Sequence, residues 1–435
     1  MNAPDELVLA GPRPLRGRLR VPGDKGMSHR ALLFAAMADG RSRVSGLAGG
    51  EDVGRTRLAL AQMGITIIVD ADGLVTIEGR GVDALGEPPA VVDCGNSGTS
   101  MRLLAGLLAG RPFLSILSGD ESLLQRPMAR VVEPLRAMGA HLDGRAEGTL
   151  PPLVVRGGDL RGGVHQLRVA SAQVKTALLL AGLQASGVTE VAEPAPSRDH
   201  TERMLGALGA PITRVDERTV RVTAGAPRAF ELAVPGDPSS AAFWVVAATI
   251  TPGSELVVED VALNPARVAF LDVLQRMGAA IEVVTTDTRL GEPVGEVRVR
   301  SAALHGTTVE GEEIPGVIDE IPVLAVAAAC ADGVTEFRDA AELRVKESDR
   351  IATVTELLTG LGVGVESGAD HLVVRGGRLQ PGAVDSHGDH RIAMAGAVAA
   401  GVIAGETRVR GWRAVATSYP EFTAHLAALT GDEPR

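Results

Sequence analysis

The sequence of 435 residues has few aromatic residues, only two cysteines and no long hydrophobic run. Cys94 and Cys330 stand alone, without CxxC or zinc-ligand spacing, which indicates buried thiols in a reducing compartment. The longest apolar runs, such as residues 392–404, are too short to cross a membrane. The first residues are acidic where a secretory signal would be basic. We therefore expect a cytoplasmic protein without a membrane partner.

Positive charge is also in deficit. The chain carries 43 Lys and Arg against 54 Asp and Glu, a formal net charge of −11, and shows no basic stripe. This balance argues against nucleic acid as a partner, and any anionic ligand must be attracted by cations gathered locally. The length predicts two or more domains with sizeable cores.

Lysine is far rarer than arginine in this sequence. Lys25, Lys175 and Lys346 are the only three, and every other basic residue is an arginine. A lysine offers a compact point charge and a proton that it can release when desolvated, which arginine does not. We expect at least two of the three lysines to work in a functional site.

The first lysine lies in a turn that runs into an apolar segment. Residues 21–30 read Val-Pro-Gly-Asp-Lys-Gly-Met-Ser-His-Arg, and residues 31–38 are almost entirely apolar. A helix that is apolar on all sides is buried, so its N-terminus is held in place by a core. Lys25 and Arg30 then lie where free N–H groups and the helix dipole stabilise an anion. The stretch predicts a phosphate or carboxylate site, and the alternative is a basic turn that faces solvent.

The same pattern recurs along the chain. A polar or glycine-rich turn, a buried helix, a short strand, an amphipathic helix and two further strands form a β-α-β-α-β-β unit of about 70 residues. The amphipathic helices of the first five units end on an apolar residue and a glycine, as a helix C-cap requires. The predicted buried helices begin near Met27, Thr99, Ala172, Ser239, Ile321 and His390. The sixth unit lacks its last strands.

Six such units could form one solenoid or two three-unit domains. We favour an α/β (α+β) fold with two similar domains, each of three repeats with buried helices and outer sheets. We place the first domain at residues 22–236 and the second at residues 1–21 plus 237–435. A strand over residues 6–9 would complete the truncated sixth unit. The helix N-termini are expected to line a ligand cleft between the domains, which would suit anionic ligands.

Several polar clusters admit both a functional and a structural interpretation. The glycine-rich turn 93–102, the loop 119–127, and the segments 171–175 and 197–200 offer anion contacts, but ordinary capping or a surface arginine explains each as well. Asp319 precedes a buried helix as either a cap or a general base. The cluster 387–391 has too few ligands for a metal site.

Taken together, the motifs resemble the 5-enolpyruvylshikimate-3-phosphate synthase family. They occur in the family's order over nearly the whole chain. The matching stretches cover residues 22–30, 95–102, 119–128, 170–175, 197–203, 318–322, 343–350 and 389–394.

The resemblance implies transfer of the enolpyruvyl group of phosphoenolpyruvate to the 5-hydroxyl of shikimate 3-phosphate, with release of phosphate. It places the chain in the shikimate pathway to aromatic amino acids, with two small-molecule substrates. Neither a metal nor an organic cofactor is expected, and the protein is expected to be a monomer.

The resemblance also implies roles for individual residues. The positions similar to shikimate 3-phosphate contacts are Lys25, Arg30, Ser171, Ala172, Arg198, Asp319 and Lys346. Those similar to phosphoenolpyruvate contacts are Lys25, Asn96, Gly98, Arg126, Gln173, Arg350 and Arg391. Asp319 would accept the proton of the 5-hydroxyl. Glu347, assisted by Lys25, would protonate the methylene carbon and later remove a proton from it.

Two alternatives and two departures from the family pattern accompany this interpretation. The sister reaction on UDP-N-acetylglucosamine usually requires a cysteine where this chain has Glu121, and a non-catalytic anion-binding paralogue is the second alternative. Gly26 replaces a family serine that would contact the shikimate ligand, so we expect weaker binding of that ligand. The segment 417–420 lacks a lysine that some members carry. Gly98 resembles members that glyphosate inhibits at the phosphoenolpyruvate site.

Overall fold

A computed structural model describes residues 5–431 of the chain. Its helices are α1 (Lys25–Met37), α2 (Glu51–Gln62), α3 (Gly98–Leu108), α4 (Ala129–Ala137), α5 (Arg145–Gly148), α6 (Ala172–Gly182), α7 (His200–Ala207), α8 (Pro238–Ile250), α9 (Ala269–Arg276), α10 (Ile314–Val317), α11 (Ile321–Ala329), α12 (Arg350–Gly360), α13 (His390–Ala400) and α14 (Phe422–Thr430). Short 3₁₀ turns lie at Val82–Ala84, Leu123–Gln125, Gly311–Glu313, Ala341–Val345 and Trp412–Thr417.

The strands are mostly short, as expected for repeated small sheets. They are β1 (Glu6–Gly11), β2 (Arg16–Arg20), β3 (Asp39–Ser45), β4 (Thr66–Val69), β5 (Val75–Arg80), β6 (Val92–Asp93), β7 (Leu114–Ser118), β8 (His141–Gly144), β9 (Leu150–Arg156), β10 (Val164–Gln166), β11 (Val188–Ala192), β12 (Ile212–Arg214), β13 (Thr219–Thr223), β14 (Glu231–Ala233), β15 (Glu255–Ala262), β16 (Ala280–Arg289), β17 (Glu292–Arg300), β18 (Thr308–Val309), β19 (Val334–Phe337), β20 (Gly364–Ser367), β21 (Leu372–Arg375), β22 (Ala383–Asp385) and β23 (Gly405–Arg410).

The six apolar segments form buried helices, namely α1, α3, α6, α8, α11 and α13. Each begins within two residues of its predicted start, because a polar N-cap turn precedes each apolar run. The amphipathic helices of the first five units stop before the glycines at 64, 139, 209, 278 and 362, whose φ angles lie between +76° and +107°. This left-handed backbone is what glycine permits at a helix end.

Every repeat contributes one outer sheet. In the sheet β6-β7-β9-β8, β6 runs parallel to β7, and the hairpin β8–β9 pairs antiparallel with β7 through β9. Four further sheets repeat this order, and a sixth has only the three strands β1-β23-β22. The mixed α/β architecture predicted from the sequence is therefore observed.

Three strands join sheets that are distant in sequence. The strand β14 runs parallel to β3, with Glu231 opposite Arg43, and thereby supplies the leading strand of the first repeat. The strand β2 supplies the leading strand of the fourth repeat, where Arg16 lies opposite Glu255. The strand β1 pairs antiparallel with β23 and fills the place that a hairpin strand holds in the other sheets.

The chain divides into two compact units. The first unit comprises residues 23–234 and 288–292, and the second comprises the remaining described residues. The segment 288–292, which the sequence prediction assigns to the second domain, packs with the first unit. Glu292 is completely buried there, and its carboxylate lies 2.7 Å from Nδ1 of His200.

Candidate active site

The N-terminus of α1 carries the first candidate residues of the first unit. The buried carboxylate of Asp24 accepts a hydrogen bond of 2.7 Å from the backbone N–H of Met27 and so caps the helix. Lys25 is the first helical residue, and its Nζ lies 3.1 Å from Oδ2 of Asp52. The Lys25 side chain remains 30% exposed, so its ammonium can reach a ligand from solvent.

Arg30 is a buried cation held by neutral acceptors. Its guanidinium donates to the hydroxyls of Thr201 (2.7 Å) and Thr176 (2.8 Å) and to the carbonyl of Gly26 (2.9 Å). In the described part of the chain no carboxylate oxygen lies within 4 Å of it, and burial lowers the pKa of Arg30 to about 10 although Glu202 and Asp24 oppose the shift. A buried cation without an ion pair is a strong attractor for an anionic ligand.

The glycine-rich turn before α3 lies beside Arg126. The Oδ1 atom of Asn96 accepts a hydrogen bond of 2.9 Å from Nη2 of Arg126. Gly98 is the first residue of α3, and a Cβ built there would lie 3.0 Å from Arg102 Nη1 and 3.4 Å from Arg126 Nη1. The absence of a side chain at Gly98 thus keeps the space in front of two guanidinium groups open.

The helices α3 and α6 are joined at their N-termini by Gln173. Its amide nitrogen donates to Thr99 Oγ1 (2.8 Å), and its Oε1 accepts from Arg102 Nη1 (2.5 Å). Ser171 caps α6, whose first helical residue is Ala172. Arg198 lies partly buried in the loop before α7. The first unit therefore brings three helix N-termini and their cations into one region of its own structure.

The second unit holds the candidate acid and base groups. Asp319 lies two residues before α11, and its Oδ1 is 3.2 Å from Nζ of Lys346 and 3.5 Å from Nη1 of Arg350. The backbone carbonyl of Asp319 accepts a hydrogen bond of 2.7 Å from Nη1 of Arg391. The residue is thus fixed through both its side chain and its main chain.

Arg350 organises the carboxylates of these candidate residues in the second unit. It is only 1% exposed, and it contacts Glu347 Oε2 at 2.6 Å and Asp389 Oδ2 at 2.8 Å. Burial opposes its charge, but Glu347, Asp389 and Asp319 outweigh that effect and raise the pKa of Arg350. The guanidinium therefore stays charged and keeps Glu347 and Asp319 in fixed positions.

Asp389 belongs to the histidine-containing cluster that at first resembles a metal site. Its carboxylate caps α13, accepts a hydrogen bond of 3.0 Å from Ser348 and pairs with Arg350. Within residues 5–431, no three His, Cys, Asp or Glu side chains are arranged to hold a metal ion. Asp389 therefore supports Arg350 structurally.

Sequence reasoning did not assign the partners that hold the predicted site residues. They are Asp52, Arg102, Thr176, Glu193, Thr201, Glu202, Glu320 and Asp389. Five of these partners lie inside the matching stretches, so their positions carried a signal: Arg102, Thr201, Glu202, Glu320 and Asp389. The pairing of Asp52 with Lys25 depends on how α2 packs, which spacing along the chain does not reveal.

Neither cysteine is among the candidate site residues of the two units. Cys94 is 1% exposed, and burial raises the pKa of its thiol to about 12, so it is neither accessible nor ionised. The position at which the sister family has a cysteine is the exposed Glu121. No helix in residues 5–431 is long and apolar enough for a membrane crossing.

Solved structures define the class of fold. The chain matches EPSP synthase from Acinetobacter baumannii with a TM-score of 0.89 and 40% identity, covering 99% of both chains. It also matches the enolpyruvyl transferase NikO from Streptomyces tendae with a TM-score of 0.81 and 20% identity, over 99% of this chain and 98% of that one. The fold is that of the enolpyruvyl transferases.

Sequence relatives narrow the class to one family. Residues 9–426 match the family EPSP synthase (3-phosphoshikimate 1-carboxyvinyltransferase). The 3-phosphoshikimate 1-carboxyvinyltransferase of Chloroflexus aurantiacus is 52% identical, over 97% of this chain and 98% of the relative, and that of Synechococcus sp. RCC307 is 50% identical over 97% and 99%. The chain belongs to the EPSP synthase family. Neither the sister reaction nor a binding paralogue is favoured by these matches.

Proposed function

We propose that this chain transfers the enolpyruvyl group of phosphoenolpyruvate to the 5-hydroxyl of shikimate 3-phosphate and releases phosphate. Family membership over residues 9–426 supports the activity. The observation that carries the chemistry is the fixed carboxylate of Asp319, held by Lys346 and Arg350. A base for the 5-hydroxyl needs such a defined position.

Each substrate is assigned a set of contact residues, and Lys25 belongs to both sets. For shikimate 3-phosphate we propose Lys25, Arg30, Ser171, Ala172, Arg198, Asp319 and Lys346. For phosphoenolpyruvate we propose Lys25, Asn96, Gly98, Arg126, Gln173, Arg350 and Arg391. Two anions repel each other, so arginine and lysine side chains must neutralise that repulsion while they orient the reacting atoms.

The proposed reaction proceeds by addition and elimination. Asp319 accepts the proton of the 5-hydroxyl while the oxygen attacks C2 of phosphoenolpyruvate. Glu347, assisted by Lys25, carries a proton in the substrate complex and donates it to the methylene carbon, which becomes a methyl group in the tetrahedral intermediate. The C–O bond to phosphate then breaks, and Glu347 takes a proton back from the methyl group to form the enol ether. The side chains contribute only proton transfer and charge stabilisation to these steps.

Phosphate release by the purified protein tests the proposal. Release that requires both phosphoenolpyruvate and shikimate 3-phosphate is the expected result. Release with UDP-N-acetylglucosamine in place of shikimate 3-phosphate would assign the sister reaction instead. If neither acceptor supports release although the protein binds either ligand, the chain is an anion-binding paralogue.

We further propose that the protein works as a monomer in the cytoplasm. The two isolated thiols, Cys94 and Cys330, suit a reducing compartment. Light scattering of the purified protein tests the oligomeric state. A mass near 44.9 kDa is expected, and twice that value would contradict the monomer.

A further inference from the structure

Lys175 is enclosed between two glutamates in the first unit. Its Nζ lies 2.6 Å from Oε2 of Glu193 and 2.7 Å from Oε1 of Glu202. The exposed fractions of the three side chains are 4% for Lys175, 2% for Glu193 and 9% for Glu202. The lysine therefore cannot reach a substrate, and none of the roles proposed above uses it.

A cluster of three buried charges is weak evidence for a role in stability. Burial disfavours the ammonium form, but Glu202 and Glu193 outweigh it and raise the pKa of Lys175, so the group remains charged. Buried ion pairs repay their desolvation only in part, and apolar groups of similar size often serve a fold as well. The cluster is better explained by what its carboxylates hold in place.

Glu193 connects Lys175 to two proposed binding segments. Its Oε1 accepts hydrogen bonds from the backbone N–H of Ser171 (3.2 Å) and from the hydroxyl of Ser197 (2.6 Å). Ser171 caps α6, and Ser197 immediately precedes Arg198. A single carboxylate thus fastens the Ser171–Ala172 segment and the Arg198 loop, and its other oxygen is held by Lys175.

Glu202 connects the same lysine to Arg30. Glu202 follows Thr201, whose hydroxyl accepts from Arg30 Nε, and its charge raises the pKa of Arg30 against the effect of burial. Oε2 of Glu202 is buried without a hydrogen-bond partner in the described part of the chain. Because Lys175 pairs with one oxygen of each glutamate, neither carboxylate needs to draw a proposed ligand cation such as Arg30 or Arg198 away from its position.

We infer that Lys175 is a positioning residue for shikimate 3-phosphate, which it orients indirectly by holding Glu193 against Ser171 and the Arg198 loop. The inference rests on the proposed function for the identity of the ligand. Lys175 contacts no substrate. Its loss frees Glu193 to turn toward the nearest cation or water, and the two segments lose their common anchor.

The first test replaces Lys175 with Met, which has similar length and no charge. We expect the KM for shikimate 3-phosphate, and the Kd of that ligand alone by calorimetry, to rise at least tenfold. The KM for phosphoenolpyruvate and kcat should stay within threefold. A lowered Tm with both constants for shikimate 3-phosphate unchanged would overturn the inference, since it would leave Lys175 a purely structural role.

Two matched double variants separate the glutamates. In Lys175→Met with Glu193→Gln, the amide oxygen still accepts from Ser171 and Ser197 and needs no cation, so affinity for shikimate 3-phosphate should return to within threefold of the wild type. Lys175→Met with Glu202→Gln leaves Glu193 charged and unpaired, and affinity should stay low. Equal recovery in both, or in neither, contradicts the role of Glu193.

Ser197→Ala serves if the Lys175 variants do not fold, because it removes one anchor at a partly exposed position. It should raise the Kd for shikimate 3-phosphate at least threefold, and an unchanged Kd overturns the inference.

The wild-type protein distinguishes failure of the proposed function from failure of this inference. If it binds shikimate 3-phosphate without releasing phosphate, the proposed function is refuted, and the comparison of Kd values still decides the role of Lys175. Wild-type protein that does not bind this ligand refutes both.

Discussion

Asp319 and Lys346 face each other in the second unit, with 3.2 Å between Oδ1 and Nζ. Arg391 donates to the backbone carbonyl of the same aspartate, so its carboxylate has a defined direction before any substrate binds. A base positioned in advance does not have to reorganise during the reaction.

Asp319→Asn should lower kcat by about 10²–10⁴-fold, the usual contribution of a general base. Asparagine keeps the shape of the side chain but cannot accept the proton of the 5-hydroxyl at neutral pH. The rate of phosphate release at saturating substrates measures the effect. Asp272→Asn, on the exposed face of α9, is the control and should leave kcat unchanged. A loss of less than tenfold in Asp319→Asn would show that another group is the base.

Gly26→Ser should strengthen binding of shikimate 3-phosphate. One neutral hydrogen bond contributes about 0.5–1.5 kcal/mol, so the KM for this substrate should fall roughly twofold to tenfold. The added Cβ would lie 3.2 Å from Oδ1 of Asp24 and 3.6 Å from Cδ2 of His200, which requires a small shift of the Asp24 side chain. Gly26→Ala adds the same carbon without the hydroxyl, so it isolates the steric cost. Unchanged Michaelis constants in Gly26→Ser would refute the prediction.

The wild-type protein should be inhibited by glyphosate in competition with phosphoenolpyruvate, and Gly98→Ala should weaken both ligands. The new methyl group would lie 3.0 Å from Arg102 Nη1 and 3.4 Å from Arg126 Nη1, in space that a bound anion would use. We expect the KM for phosphoenolpyruvate to rise severalfold and the inhibitory concentration of glyphosate to rise further. A wild-type inhibition curve that is flat into the millimolar range would contradict this assignment.

The free energy of unfolding should decrease as the pH is lowered, because His29 is buried in its neutral form. Burial lowers the pKa of its imidazole to about 3, while the unfolded chain binds the proton near pH 6.5. Between these values the unfolded state holds more protons, so acidification from pH 7.5 to 5.5 should cost about 1.4 kcal/mol through this residue. Urea unfolding at both pH values measures the change.

The variants His29→Gln and His141→Gln test this pH effect. His29→Gln removes the buried imidazole and should abolish about 1.4 kcal/mol of the pH dependence. His141 is exposed at the start of β8, so His141→Gln should leave the dependence as in the wild type. An unchanged slope in His29→Gln would mean that the buried imidazole is already protonated at pH 5.5.

Local patterns predicted the repeated elements well. Asp24, Ser97 and Ser171 cap their helices by accepting backbone hydrogen bonds, and the apolar runs behind them are buried, as their composition indicates. These features depend on residues a few positions apart, so a single sequence contains them. The assignment of β14 to the sheet of β3 was not predicted, because that pairing joins residues nearly 200 positions apart.

The candidate site was predictable only in part for the same reason. Motifs located the cations and Asp319, but the partners that fix them come from other elements. Nothing near Lys175 in the sequence shows that Glu193 and Glu202 close over it, since β11 and α7 must first pack against α6. The scarcity of lysine distinguishes Lys175 in the sequence, and packing determines its contacts.

The pairing of β1 with β23 has a consequence for synthesis on the ribosome. Gly11 is translated nearly 400 residues before its partner Gly405, an interval of roughly 20–80 s at elongation rates of about 5–20 residues per second. The first unit can fold within that interval, because almost all of its residues lie in 23–234. Until their partners are translated, β1 and β2 remain unpaired. The three arginines of β2 help to keep such an exposed strand soluble. The unit that contains the first strands to emerge is therefore the last to mature.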